Sequence, residues 1–181
     1  MAAATIGLTI DDFEKLSDED AHYKELINGE LIDVSGNNPQ HNLLRDELGS
    51  VMKAWAGKRN LGMVITEQEY DFGGNAHGPD VTFFRKEKLP LLQLKRRVQR
   101  FVPDLAIEIA SPNDTYSSLM SKIRRYRACG VEEVWLFTHD PVQAEVFSAR
   151  RNAIYFENDV FDPTPLEGFS IPLRDLFELP A

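Results

Sequence analysis

The stretch Pro103-Asp-Leu-Ala-Ile-Glu-Ile-Ala-Ser-Pro112 predicts a strand, because its side chains alternate with the period of two that is typical of a strand. One face carries Leu105, Ile107 and Ile109, and the other carries Asp104, Ala106, Glu108 and Ala110. An acid between two alanines is unusual on a solvated face, since alanine leaves space beside Glu108 for another group. By itself the stretch fits a structural role for Glu108, as a half-exposed acid or one held by a buried partner, as well as it fits a functional role.

The composition is that of a globular protein. The chain has 181 residues, of which 43% are hydrophobic and 27% charged, so we expect a single domain over residues 1–181. No apolar run approaches the roughly 20 residues of a membrane helix, and the opening residues lack the basic segment of a secretory signal. One cysteine excludes an internal disulfide. We therefore expect a cytoplasmic protein that does not bind membranes.

Charge is unevenly distributed along the chain. The net charge is −9, yet residues 85–127 hold eleven Lys and Arg against four Asp and Glu. This basic segment surrounds the key strand and favours a polyanionic partner such as DNA, although a solvated loop and helix face would give the same pattern. The candidate nucleic-acid-binding residues are Lys95, Arg96, Arg97, Arg124 and Arg125.

The remaining pattern predicts an α/β (α+β) fold with a mixed β-sheet flanked by helices and an N-terminal hairpin. Asn28-Gly29 between two apolar runs predicts the hairpin, over residues 23–34. Helices are predicted over residues 39–58 and, with Asp114 as N-cap, up to residue 128. The other predicted elements are strands over 63–70, 80–84, 103–110, 134–137, 144–147 and 153–157, a short helix that ends at residue 16 and another over 173–177.

Two Pro-Asp pairs at predicted strand starts supply candidate metal ligands. Asp104 and Glu108 are about 13 Å apart along one strand, too far to share a cation. Asp80, on a neighbouring strand about 5 Å away, can lie beside Glu108. We therefore expect Asp80 and Glu108 to bind Mg²⁺ or Mn²⁺, a hard ion that suits a phosphate substrate, and Asp104 to bind backbone or an arginine.

Lys122 is the third catalytic candidate. On the predicted helix Leu119, Ile123 and Tyr126 form one face, and Lys122 lies at the edge of that face. Its ammonium can reach Glu108, where it would orient an attacking water or stabilise charge on phosphorus. The alternative is a lysine whose stem covers apolar surface.

Together these residues resemble the PD-(D/E)XK nuclease superfamily, in which an Asp from one strand and a D/E-x-K pair on the next bind Mg²⁺ and cut phosphodiesters. From about residue 23 onward the chain is similar to an uncharacterised restriction-endonuclease-like family that is abundant in cyanobacteria. The resemblance is carried by Lys24-Glu-Leu-Ile-Asn-Gly-Glu-Leu31, His41, Gly78-Pro-Asp-Val81, residues 103–112, Lys122, Tyr126 and Gly130-Val-Glu-Glu-Val-Trp135.

The resemblance implies a restriction-endonuclease-like fold and a Mg²⁺-dependent endonuclease that hydrolyses DNA phosphodiester bonds, with a homodimer as the expected assembly. The superfamily lysine would stand at position 110, where this chain has Ala110. The related family is thought to use a lysine on the following helix, and Lys122 matches it. The alternative is a catalytically inactive nuclease-fold module that binds nucleic acid or a protein partner.

Four further positions are weaker candidates. Glu25 and Glu30 match family positions and are either a third ligand or cross-strand charges, of which we favour the second. His41 shares a helical stripe with apolar residues, so a hydrogen-bonded residue at the core edge is favoured over a catalytic one. Tyr126 matches a family position one turn beyond Lys122.

Overall fold

The structure is a computed structural model, and it describes residues 7–34, 38–163, 166 and 168–178. The described α-helices are α1 (Ile10–Phe13), α2 (Asp18–Ala21), α3 (Pro39–Arg59) and α4 (Tyr116–Ala128). Two short 3-10 helices cover Lys86–Leu91 and Leu173–Leu176. None of the described helices combines the length and the apolar character that crossing a bilayer requires.

The described strands form two larger sheets and a small one. They are β1 (Lys24–Ile27), β2 (Glu30–Asp33), β3 (Gly62–Thr66), β4 (Glu69–Asp71), β5 (Ala76–His77), β6 (Val81–Arg85), β7 (Val98–Gln99), β8 (Leu105–Ile109), β9 (Glu133–His139), β10 (Val142–Ser148), β11 (Asn152–Phe156), β12 (Val160–Phe161) and β13 (Ile171–Pro172). One sheet has the order β2-β1-β5-β4-β7, a second has the order β11-β10-β9-β8-β6-β3, and β12 pairs with β13.

Strand β8 lies inside the six-stranded sheet, antiparallel to β6 and parallel to β9. All five of its residues are buried. Leu105, Ile107 and Ile109 join the hydrophobic cluster that includes α3, whereas Ala106 joins the cluster that includes α4. The alternation predicted for this stretch is confirmed, and it places Glu108 on the α4 side of the sheet.

Helix α3 covers one face of this sheet and begins with strong local signals. The Asn38 side chain accepts a hydrogen bond from the His41 backbone N–H, and Pro39 occupies the first turn, where no N–H is needed. The helix ends at Asn60, which adopts the left-handed conformation. The predicted helix is therefore confirmed to within one residue at its C-terminal end.

The predicted hairpin is also confirmed. Asn28 and Gly29 both have positive φ angles, 51° and 82°, which is the combination that a two-residue type I′ turn requires. The register pairs Glu25 with Ile32 and Leu26 with Leu31. Unlike the single mixed sheet expected from the sequence, the hairpin belongs to a separate five-stranded sheet.

Three local predictions were wrong in detail. The strand expected over residues 63–70 is two strands in different sheets, because Glu67 turns the chain with a φ of 54°. The N-cap of α4 is Thr115, which forms a capping box with Ser118, while Asp114 accepts hydrogen bonds from Ser111. The helix expected to end at residue 16 ends at Phe13, and Ser17 caps a second short helix.

Candidate active site

A cavity of about 960 Å³ lies where the hairpin, the start of β6, the end of β8 and helix α4 meet. Its lining includes the three catalytic candidates, Asp80, Glu108 and Lys122, together with Glu25 and His41. Residues that are up to 97 positions apart in the sequence therefore share one cavity. The two sheets and the helix each contribute part of its wall.

Asp80, the residue before β6, is held by two contacts. The register of β6 and β8 pairs Val81 with Ile107, so its continuation by one residue brings Asp80 opposite Glu108. One carboxylate oxygen, Oδ2, accepts a hydrogen bond of 2.7 Å from the Ile109 backbone N–H. The other, Oδ1, lies 3.2 Å from Nε2 of buried His41. Both oxygens are thus oriented by the protein before any ligand binds.

His41 is a partner of Asp80, which agrees with the hydrogen-bonded residue expected at the core edge. Burial alone would lower the pKa of His41, but the contact with Asp80 raises it above its ordinary value. The Asp80 carboxylate therefore stabilises the protonated imidazole relative to the neutral one.

Glu108 is buried, with 5% of its surface exposed. Its Oε1 accepts a hydrogen bond of 2.7 Å from the Tyr126 hydroxyl, and its Oε2 lies 3.5 Å from the Lys122 ammonium nitrogen. Burial raises the pKa of Glu108, and repulsion from Asp80 and Glu25 raises it further, whereas Lys122 lowers it. The balance of these effects is a pKa of about 7. Both its burial and the neighbouring carboxylates therefore favour the protonated form of Glu108.

Lys122 lies between two carboxylates. Its Nζ is 3.0 Å from Oε1 of Glu25 and 3.5 Å from Oε2 of Glu108. Burial alone would lower the pKa of Lys122, but the two carboxylates raise it well above its ordinary value. The side chain retains 24% exposure, so a protonated ammonium faces the cavity.

Glu25 is 6% exposed and lines the cavity. Across the hairpin its neighbour is Ile32, but on the other side the pairing of β1 with β5 brings His77 beside it, so the cross-strand interpretation favoured from the sequence holds for that pairing only. Burial would raise the pKa of Glu25, but His77 and Lys122 lower it to about 2. Glu30, by contrast, is exposed and is paired with Ile27 beside the turn.

His77 is not among the site residues that the sequence predicts. Its Nδ1 lies 3.0 Å from Oε2 of Glu25, and its Nε2 lies 2.8 Å from Nη1 of Arg125. Because a guanidinium can only donate, Nε2 accepts, and the ring is neutral with its proton on Nδ1, towards Glu25. Burial lowers the pKa of His77, in agreement with a neutral ring. The available signal was a histidine three residues before Asp80.

Several members of the basic segment form ion pairs within the protein. Arg97 contacts Glu69 at 2.6 Å, and Arg96 contacts Glu14 at 3.0 Å. Arg125 contacts His77 and lines the cavity. Lys95 and Arg124 are exposed and, within the described part of the chain, form no ion pair. A DNA-binding role for these five residues stays a prediction.

Asp104 has the structural role that was expected for it. Its Oδ2 accepts a hydrogen bond of 2.7 Å from the Arg85 backbone N–H, and its Oδ1 lies 2.8 Å from the Lys88 ammonium nitrogen. The carboxylate therefore ties the start of β8 to the end of β6.

The chain matches a family profile over residues 10–174, and the description of that family is "Uma2: Putative restriction endonuclease". This chain belongs to the Uma2 family. A crystal structure described as "a putative nuclease belonging to DUF820 from Anabaena variabilis ATCC 29413" has 21% sequence identity and a TM-score of 0.81. The similarity covers 94% of this chain and 97% of the other, so the two share a fold.

The similarity to a chain of the cryo-EM structure of a DrdV–DNA complex is weaker. The identity is 18%, the TM-score is 0.41, and the match covers 64% of this chain and 10% of that chain, which is too little to indicate a common fold. A comparison with curated proteins finds no match. The Uma2 assignment and the structure agree with the restriction-endonuclease-like fold that the sequence predicted.

Proposed function

We propose that this Uma2 protein is a Mg²⁺-dependent (or Mn²⁺-dependent) endonuclease that hydrolyses DNA phosphodiester bonds in the cavity at the end of β8. The observation that carries the proposal is the convergence of Asp80 and Glu108 with the Lys122 ammonium, in a site where burial, together with repulsion from Asp80 and Glu25, raises the pKa of Glu108 to about 7. The family description supports a nuclease.

The residues present fit a Mg²⁺ ion, which needs only a pair of carboxylates from the protein. This matters because, within the described part of the chain, no three or more His, Cys, Asp and Glu side chains are grouped so that they could hold a metal by themselves. Mg²⁺ is commonly bound by one or two carboxylates while water and substrate phosphate oxygens complete its coordination. Asp80 and Glu108 supply such a pair of hard oxygen donors.

The bound ion would lower the pKa of a water molecule and neutralise charge on the phosphoryl oxygens. In the hydrolysis, the water oxygen forms a new bond to phosphorus, one bridging P–O bond breaks, and the leaving alcohol takes up a proton. Lys122 is protonated and paired with carboxylates, so it acts as a positive charge and a hydrogen-bond donor beside the phosphorus. It does not act as a general base.

Glu25 and His41 would position these groups. Glu25 pulls the Lys122 ammonium towards the cavity, and His41 together with the Ile109 N–H orients the Asp80 carboxylate. Tyr126 orients Glu108 through the hydrogen bond from its hydroxyl group. Of the five candidate nucleic-acid-binding residues, Lys95 and Arg124 are exposed and form no ion pair within the described part of the chain, so they are available for DNA phosphates. A homodimer stays a prediction.

The test is nicking of supercoiled plasmid DNA by the purified protein in Mg²⁺, with Asp80→Asn and Glu30→Gln compared with the wild type. We expect nicking by the wild type and by Glu30→Gln, and a loss of about 100-fold or more for Asp80→Asn. If the wild type cuts no faster than Asp80→Asn, the proposed hydrolysis is wrong, and an inactive nuclease-fold module becomes the better description.

A further inference from the structure

The rim of the cavity carries an exposed aromatic pair that the proposed chemistry does not use. His22 and Tyr23 both line the cavity beside the hairpin, and their ring centroids are 3.8 Å apart. Tyr23 is 57% exposed, although large aromatic side chains are usually buried. Ile32, 40% exposed, also lines the cavity and adds apolar surface.

The backbone holds Tyr23 in an unusual conformation. Its φ angle is 53°, in the left-handed region that bulky residues rarely adopt. The Tyr23 carbonyl oxygen accepts a hydrogen bond of 2.8 Å from the Val34 N–H, so the end of the hairpin fixes this conformation. The backbone at Tyr23 is therefore restrained, and its ring lines the cavity exposed rather than packed into the core.

The charge of the cavity argues against tight binding of a duplex through its phosphates. Eight acidic side chains line the cavity against four Lys and Arg. Outside it, Arg96 and Arg100 of the basic segment are paired with Glu14, and Arg85 is paired with Glu132. Duplex binding depends mainly on the number of phosphates that are neutralised, and these pairings leave the basic segment few unpaired cations, among them Lys95 and Arg124.

Affinity that does not come from phosphates can come from base stacking. An unpaired base offers a π-face to an aromatic ring, whereas the bases of an intact duplex are already stacked and covered. On the α4 side, Asn113 lines the cavity with an amide that can hydrogen-bond to a base edge. The Ser121 hydroxyl donates to the Ser117 carbonyl but can still accept a hydrogen bond through its oxygen. The volume of about 960 Å³ gives room for a nucleotide beside Asp80 and Glu108.

We propose that the cavity takes an unpaired nucleotide, with its base stacked on Tyr23, and that the preferred substrate is therefore single-stranded DNA. This inference rests on the proposed function for the chemistry at the phosphate, but the stacking itself does not require cleavage. Tyr23 is then a specificity-determining residue that distinguishes single strands from duplexes.

The experiment measures binding of a short oligonucleotide that carries one 2-aminopurine, as a single strand and as a duplex, in Ca²⁺. Fluorescence anisotropy of a terminal dye gives the dissociation constant, and quenching of 2-aminopurine reports stacking. The variants are Tyr23→Ala, Tyr23→Phe, which keeps the ring, and Tyr116→Ala as control. Tyr116 is 62% exposed and does not line the cavity. Urea unfolding checks that each variant is folded.

We expect the single strand to bind more tightly than the duplex, and Tyr23→Ala to weaken its binding by about 5- to 150-fold and to abolish the quenching. Tyr23→Phe and Tyr116→Ala should bind like the wild type. Equal binding of single strand and duplex, or a folded Tyr23→Ala that binds and quenches normally, would overturn the inference. If the wild type nicks plasmid DNA but Tyr23→Ala binds the single strand normally, only the nuclease proposal is supported. Stacking on Tyr23 without any cleavage would support this inference alone.

Discussion

Replacing Lys122 by Met removes the ammonium that contacts both Glu25 and Glu108. At 3.0 and 3.5 Å, each pair is worth about 5 kcal/mol of Coulomb energy at an effective dielectric constant near 20, before the energy of desolvating the ions is subtracted. Removing one partner of a buried ion pair lowers stability by about 3–5 kcal/mol. Because Lys122 keeps 24% exposure, we expect Lys122→Met to lower the free energy of unfolding by about 2–4 kcal/mol at pH 8.

The loss should depend on pH. Glu25 has a pKa of about 2, which is below its ordinary value of 4.5, so its contribution is present above pH 4.5 and is lost as the pH falls towards 2. Without Lys122 the pKa values of Glu25 and Glu108 rise, and both side chains can escape the repulsion by binding protons. The destabilisation should therefore be smaller at pH 5 than at pH 8, by about 1 kcal/mol or more.

Urea unfolding of the wild type, Lys122→Met and Arg124→Met at both pH values measures this effect. Arg124 is exposed on the same helix, so its variant should stay within about 0.5 kcal/mol of the wild type. The reasoning is refuted if Lys122→Met is no less stable than Arg124→Met at pH 8, or if its loss of stability is the same at both pH values.

Three further outcomes follow from the same contacts. Glu108 has a folded pKa of about 7 against an ordinary value of 4.5, so its ionisation opposes folding, and stability is lost as the pH rises through 7. Without divalent ions, the unfolding free energy of Glu108→Gln relative to that of the wild type should be about 2–3 kcal/mol higher at pH 8.5 than at pH 4.5. Urea unfolding that gives the same difference at both pH values would contradict this. Calorimetry should show Mg²⁺ affinity that rises with pH up to about 7 and then levels off, since Glu108 must lose its proton to bind; a flat profile would contradict it. Asp104→Asn should lower the unfolding free energy by about 1–3 kcal/mol, because the Arg85 N–H and the Lys88 ammonium lose their carboxylate partner. The Mg²⁺ affinity of this variant should equal that of the wild type. Weaker Mg²⁺ binding would contradict a purely structural role for Asp104.

The elements that the sequence predicts well are those that local signals specify. The alternation around Glu108 and the Asn28-Gly29 turn depend on neighbouring residues, and the structure has both. The approach of Asp80 to Glu108 was also predictable, because the spacing of paired strands is a constant of sheet geometry.

The contacts that were not predicted depend on pairing between distant segments. Glu25 reaches the site because β1 pairs with β5 through Leu26 and Ala76, and this single pair also brings His77 beside it. No local pattern encodes that register. The break at Glu67 was missed for a similar reason, since glutamate has no local preference for the left-handed conformation that it adopts.

A crystal soaked in Mn²⁺ and measured at a wavelength where manganese scatters anomalously would locate the cation directly. The proposed site predicts an anomalous peak between the carboxylates of Asp80 and Glu108, about 2.0–2.3 Å from an oxygen of each. It also predicts that the peak is absent from crystals of Asp80→Asn soaked in the same way. A peak that contacts neither carboxylate, or no peak at the pair while manganese binds elsewhere on the protein, would contradict it.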